Sequence, residues 1–115
     1  MENIRLTVVF FQTELASEPV REWLKSLTRT DRKTIGEDIK TVQFTWPIGM
    51  PLVRKLDSAL WEVRSRINNG IARVIFTIQG DHLVLIHEFV KKSQKTPLVD
   101  LRTARQRLRQ LEQHE

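Results

Sequence analysis

The residues best suited to chemistry in this chain are cations. Arg64, Arg66 and Arg73 fall within β-patterned stretches, and Lys91, Lys92 and Lys95 follow the last of them. An arginine on a strand holds a planar fork at fixed geometry, suited to bidentate contact with phosphate, and lysines on a neighbouring loop add mobile point charges. Such a set can grip a backbone phosphate. It can also stabilise, by preorganised charge, the phosphorane of metal-free RNA cleavage. That reaction further needs a base for the 2′-hydroxyl and an acid for the leaving 5′-oxygen. A lysine crowded by other cations has its neutral form favoured and can act as either near neutral pH. The same arginines equally fit a solvated sheet face on which they pair with Glu62 and Glu88. His87 falls on the core side of the expected register and reads as structural; Phe89 reads as core, at a strand end from which a ring can stack on a base.

These groups must be positioned by the segment Ala59–Pro97, a predicted three-stranded meander. Asn69-Gly70 is a two-residue hairpin signal, because both central residues of a type I′ turn need positive φ, and Gly80-Asp81 fits the other primed turn. The first turn predicts Arg66 opposite Arg73 and Arg64 opposite Ile75. The second predicts Gln79 opposite His82, Ile75 opposite Ile86 and Arg73 opposite Glu88. One face then carries Trp61, Val63, Val74, Phe76, Leu83 and Leu85 as a core, interrupted by Ser65 and His87. The other carries Glu62, Arg64, Arg66, Arg73 and Glu88 around an apolar strip of Ile75, Val84 and Ile86. Like charges at opposed positions are unfavourable unless a carboxylate or an anionic ligand offsets them.

Upstream, Ile4–Phe11 reads as a strand whose continuous apolar character suits the interior of a sheet. Ser17-Glu18-Pro19 starts a helix with Ser17 as N-cap, carried on by Val20, Trp23, Leu24 and Leu27, and the segment Thr28–Asp31 caps a second with Ile35, Ile39, Val42 and Trp46 in its stripe. This helical hairpin needs the core face of the meander to cover its stripe. The two prolines and glycine of Trp46–Pro51 make a loop, and Leu52–Ser58 leads into the meander. After Pro97, Leu98, Leu101, Ala104, Leu108 and Leu111 mark an amphipathic helix with an arginine-rich polar face. The expected order is β-α-α-β-β-β-α: an α+β fold, a small mainly antiparallel sheet with a helical hairpin on one face and a C-terminal helix, in one domain spanning 1–115.

At 115 residues with 40% hydrophobic content, one globular domain is expected. There is no cysteine, which excludes disulfides and thiol catalysis and disfavours zinc. The sequence has no Gly-rich phosphate loop, HExxH motif or nucleophile elbow, and neither histidines nor carboxylates are spaced for a metal, so no cofactor or metal is expected. No apolar run approaches ~18 residues, and the N-terminus does not read as a signal, so a cytoplasmic protein without membrane association is expected. The net charge of +5 fits a nucleic-acid or acidic-protein binder as well as a merely solvated basic surface.

Leu60-Trp61-Glu62-Val63-Arg64, Ala72-Arg73, the run from Phe89 to Pro97 (FVKKSQKTP) and the closing Ala104-x-x-Arg107 helix resemble the RelE/ParE toxin superfamily. Within it they are most similar to the phage-derived HigB-type branch of type II toxin-antitoxin systems. The resemblance covers about two-thirds of the chain by motif and nearly all of it by element order. It implies a ribosome-dependent, metal-independent endoribonuclease that cuts mRNA in the ribosomal A site by attack of the 2′-hydroxyl on the adjacent phosphate. It also implies a helix-turn-helix antitoxin as partner. Carried over by position, Arg64 and Arg73 would hold the scissile phosphate. Lys91, Lys92 and Lys95 would stabilise charge or move protons, with Phe89 flanking the base and Lys55, Arg66 and His87 as further RNA contacts. The chain departs from the family's pattern in having no tyrosine, which leaves proton transfer to a lysine, to His87 or to the ribosome, and in placing Glu88 where glycine is common, beside the cations. Two other activities fit the same resemblance: a ParE-like toxin that inhibits DNA gyrase, and a regulatory RNA-binding domain.

Overall fold

The computed structural model describes residues 5–91 and 96–113, with Lys91 by its backbone alone; Lys92 and Lys95 lie outside the described residues. The elements run β1 (Thr7–Phe10), α1 (Pro19–Ser26), α2 (Arg29–Thr45), β2 (Val53–Asp57), β3 (Leu60–Ile67), β4 (Gly70–Gln79), β5 (His82–Lys91) and α3 (Leu98–Gln113). The α+β architecture is as expected, with one strand more: the lead-in to the meander is itself β2. Val53, Arg54, Lys55 and Leu56 do not alternate apolar with polar, so no period-2 pattern marks this strand in the sequence.

The five strands lie in the order β1-β5-β4-β3-β2, with β1 parallel to β5 and the other pairs antiparallel. The first strand is therefore an edge and not the interior strand its apolar run suggests. That run is explained by cover on both sheet faces: Val8 and Phe10 pack with the hairpin-side core, Val9 and Phe11 with the α3-side core.

Helix α1 begins at Pro19 with Glu18, not Ser17, as N-cap, because the Ser17 hydroxyl is turned to Glu22, which accepts from it and from the Glu18 backbone N–H, both at 3.0 Å. Thr28 caps α2 by accepting from the Asp31 backbone N–H at 3.2 Å. Val20, Ile35, Ile39 and Val42 are buried against Val63, Val74, Phe76, Leu83 and Leu85, so the helical hairpin covers the core face of the meander as its stripe requires. Trp46 closes that layer edge-on to Trp61 and Phe76, at ring-centroid distances of 5.0 and 5.6 Å. Helix α3 covers the opposite face, its Ala104 buried with Leu60, Ile75, Val84 and Ile86.

Two register details differ from the expectation and decide the site. In the first hairpin Ile67 pairs with Gly70, so the turn residues are Asn68 and Asn69, and Gly70, with φ of 137°, opens β4. The Asn68 backbone N–H donates to Asp31 Oδ1 at 3.4 Å, tying the turn to the start of α2. The pairing thus shifts by two: Arg64, not Arg66, stands opposite Arg73, and Arg66 stands opposite Ile71. In the second hairpin Gln79 meets His82 as expected, but Phe76 pairs with Leu85 while Ile75 pairs with His87. Ile86 is an extra, bulged residue, and a bulge inverts the facing of everything beyond it. His87 and Phe89 pass from the core side to the arginine side. Glu88, expected beside the cations, instead pairs in register with Val74.

Candidate functional site

Glu62 and Arg64 are two apart on β3 and share a face, as do Arg73 and Ile75 on β4. The register joins the two sets, so Arg64 and Arg73 are directly opposed, with Glu62 between them in charge. Glu62 Oε2 lies 3.7 Å from Arg73 Nη1 and 3.9 Å from Arg64 Nε. Arg54, in register with Glu62 on β2, brings a third guanidinium to the cluster. Burial pushes Arg73 below its ordinary pKa; Glu62 opposes that shift, while Arg64 and Arg54 add to it. A guanidinium stays charged through such a shift, so this is a concentrated, permanent positive field.

The cluster is enclosed. Arg73 and Glu62 are both 0% exposed and the Arg64 side chain 11%. Phe89 stands opposite Arg73 in the β4–β5 register, its ring centroid 5.8 Å from the guanidinium carbon. Thr96, just before α3, donates its hydroxyl to Glu62 Oε1 at 2.7 Å. Arg66 is exposed, and with Arg64 it lines an open cavity of about 440 Å³ bounded by Asp38, Pro51, Leu52 and Ile71. The site therefore has a buried half (Arg73, Glu62) and an accessible half (Arg64, Arg66).

Of the residues picked from the sequence, Arg64, Arg73 and Phe89 converge, and Arg66 stands at the mouth. Lys55 does not join them. It is in register with Trp61, its Nζ 6.0 Å from the indole on the hairpin side of the sheet, whereas its neighbour Arg54 takes the arginine side. The Lys91 backbone is paired with Ile71.

The bulge brings His87 onto this face in a defined role. Its Nε2 lies 2.7 Å from Asp100 Oδ1, and its Nδ1 lies 3.2 Å from Arg107 Nη1. A guanidinium only donates, so Nδ1 accepts and Nε2–H donates to Asp100. Arg107 Nη1 also donates to the carbonyl of Ile86, the bulged residue, at 2.9 Å. Both ring nitrogens are thereby committed to anchoring α3 on the bulge. Arg107 is itself pushed below its ordinary pKa by burial, with Glu88 opposing.

Arg54, Thr96, Asp100 and Arg107 were not singled out as site residues from sequence. Three carried a signal: Arg54 shares its strand parity with Leu56, and Asp100 and Arg107 flank Ala104 at i−4 and i+3, on the buried side of the helix. Thr96 carried none. Among the described residues no group of three or more His, Cys, Asp and Glu could hold a metal ion, and no helix is long and apolar enough to cross a membrane. A cavity of about 560 Å³ lies between β1 and the end of α3, lined by Val9, Phe11 and Leu111 and, among the described residues, by no cation.

Arg64 and Arg73, opposed on a five-stranded sheet that a terminal helix closes, both belong to the motifs that carry the resemblance. The family model described as Phage derived protein Gp49-like (DUF891) matches residues 22–109. The chain belongs to that family. The match begins inside α1 and ends inside α3, so it takes in every element of the site. The Gp49-like family is associated with toxin-antitoxin systems and is RelE-like, which points to an antitoxin as partner. A search of curated proteins gives no match.

Proposed function

We propose that this Gp49-like protein is the toxin of a type II toxin-antitoxin pair, of HigB type, and that it cleaves translated mRNA on the ribosome in the cytoplasm. One observation carries the reading: Arg64 and Arg73 project from directly opposed positions of adjacent strands onto one face, beside the exposed Arg66. Fixed guanidiniums so placed neutralise the charge that develops on a phosphodiester under attack. In the reaction the 2′-oxygen forms a bond to phosphorus and the bond from phosphorus to the 5′-oxygen breaks. A proton leaves the 2′-hydroxyl and another reaches the departing 5′-oxygen. Both nitrogens of His87 are engaged, so these transfers fall to Lys91, Lys92 or Lys95, or to the ribosome. A helix-turn-helix antitoxin is the proposed neutralising partner.

The test is induction of the chain in cells, with primer-extension mapping of transcripts. New 5′ ends phased to codons are expected with the wild type, lost with Arg64→Ala and suppressed by co-expression of the neighbouring reading frame. Intact transcripts with an induced DNA-damage response would replace this reading with gyrase inhibition. RNA binding without loss of viability would reduce it to a regulatory RNA-binding domain.

A further inference from the structure

The arginine cluster encloses an anion, and that anion belongs to the protein. Glu62 is 0% exposed, and its carboxylate lies between the guanidiniums of Arg64 and Arg73. The contacts are long, at 3.9 and 3.7 Å, where a charge-assisted hydrogen bond closes to about 2.7–2.9 Å. Oε2 is buried and makes no hydrogen bond among the described residues. A carboxylate held this way has given up its water without full compensation, so a buried pair of this quality is weakly stabilising. The other oxygen, Oε1, is held well, by the Thr96 hydroxyl at 2.7 Å.

We infer that Glu62 occupies the seat of a substrate phosphate, and that Thr96 is the positioning residue that keeps it there. The inference rests on the nuclease reading of the same arginines and adds a closed state to it. A carboxylate and a phosphodiester each present two oxygens to a guanidinium fork, so they compete for one place. A phosphate that makes short bonds there displaces Glu62 once the Thr96 hydrogen bond is broken. Leu98 and Val99, immediately beyond Pro97, are 72% and 65% exposed, so apolar burial at the start of α3 does little to hold Thr96. Helix α3 is fixed further along, by Asp100 and Arg107 on the bulge, and need not leave the sheet when Thr96 releases Glu62.

The experiment is fluorescence anisotropy of a short single-stranded RNA, made uncleavable by 2′-deoxy substitution, titrated with the purified full chain over a range of salt. Thr96→Val keeps the arginines and Glu62 and avoids the folding risk of Glu62→Gln. It is expected to bind about 5- to 10-fold more tightly than wild type, with a salt slope steeper by about 0.7, the increment for one more phosphate contact on a single strand. Thr96→Ser, which restores the hydroxyl, is expected to return to the wild-type value. Arg64→Ala is expected to weaken binding at least tenfold. If Thr96→Val binds no more tightly while Arg64→Ala still weakens, Glu62 is not the occupant of the seat and the closed state is wrong. If Arg64→Ala binds like wild type, the phosphate site itself is wrong.

Discussion

Glu88 shows how far a single residue's environment departs from what its neighbours in sequence suggest. One of its oxygens is buried and makes no hydrogen bond among the described residues, and burial pushes its pKa from an ordinary 4.5 up to about 7, Arg107 opposing the shift and Asp100 adding to it. Between those values the folded chain keeps a proton that the unfolded chain has lost. The stability associated with this group is therefore full below about pH 4.5 and is lost as the pH rises through 7. Glu88→Gln is expected to remove that dependence. In urea denaturation it should be more stable than wild type at pH 8, by about 1–2 kcal/mol after allowance for solvent screening, and little different at pH 4.5. A variant that loses stability at pH 8 would show that the carboxylate is paired. Arg64 is the contrasting case: its prediction, loss of transcript cleavage on Arg64→Ala, depends on charge offered to a ligand and not on folding.

At the level of elements, the bulge in β5 and its clamp by α3 determine which side chains reach the site. Arg107 holds both the Ile86 carbonyl and the His87 ring, and Asp100 holds the other side of that ring. Replacing Arg107 with Met keeps much of its volume and removes every donor. It is expected to cost about 2–4 kcal/mol in denaturant unfolding, the range for leaving buried acceptors unpaired. In a double-mutant cycle with His87→Phe the two losses should fall short of additive by about 0.5–3 kcal/mol, because one network is broken twice. Strict additivity would mean that the contacts are incidental. The helices and the long strands were legible in the sequence from period and caps: Thr28 at the start of α2, the Ile35, Ile39 and Val42 stripe, and the alternation through β4. The extra residue at Ile86 was not. Leu83 to Ile86 is a continuous apolar run, so no change of hydrophobic phase marks where pairing slips.

On the scale of the whole molecule, the sheet separates two cores of different character. The hairpin side is a broad aromatic and aliphatic layer, whereas the α3 side is smaller, with Leu60, Ile75, Val84 and Ile86 sealed by one helix. A chain truncated after Pro97 would expose that second layer together with the arginine cluster. It is expected to be expanded or aggregated, with strong binding of an apolar dye and loss of a sharp thermal transition. If the truncated chain stays monodisperse with a cooperative melt, the hairpin-side core alone suffices and α3 is an appendage. The net charge of +5 acts at this scale too, as a long-range attraction toward polyanions that salt should weaken.

The sequence by itself determined the α+β class, the helical hairpin on its sheet, the amphipathic closing helix and the presence of strand-borne arginines, because each follows from local periodicity or from residue type. Tertiary structure alone decided which arginines meet, that Lys55 faces away, that His87 is spent on anchoring α3 and that Glu62 fills the cluster. The physical reason is parity. A strand shows alternate residues to opposite faces, so one bulged residue or a two-residue shift of pairing reassigns every partner beyond it, and both depend on contacts made with α2 and α3 from distant parts of the chain.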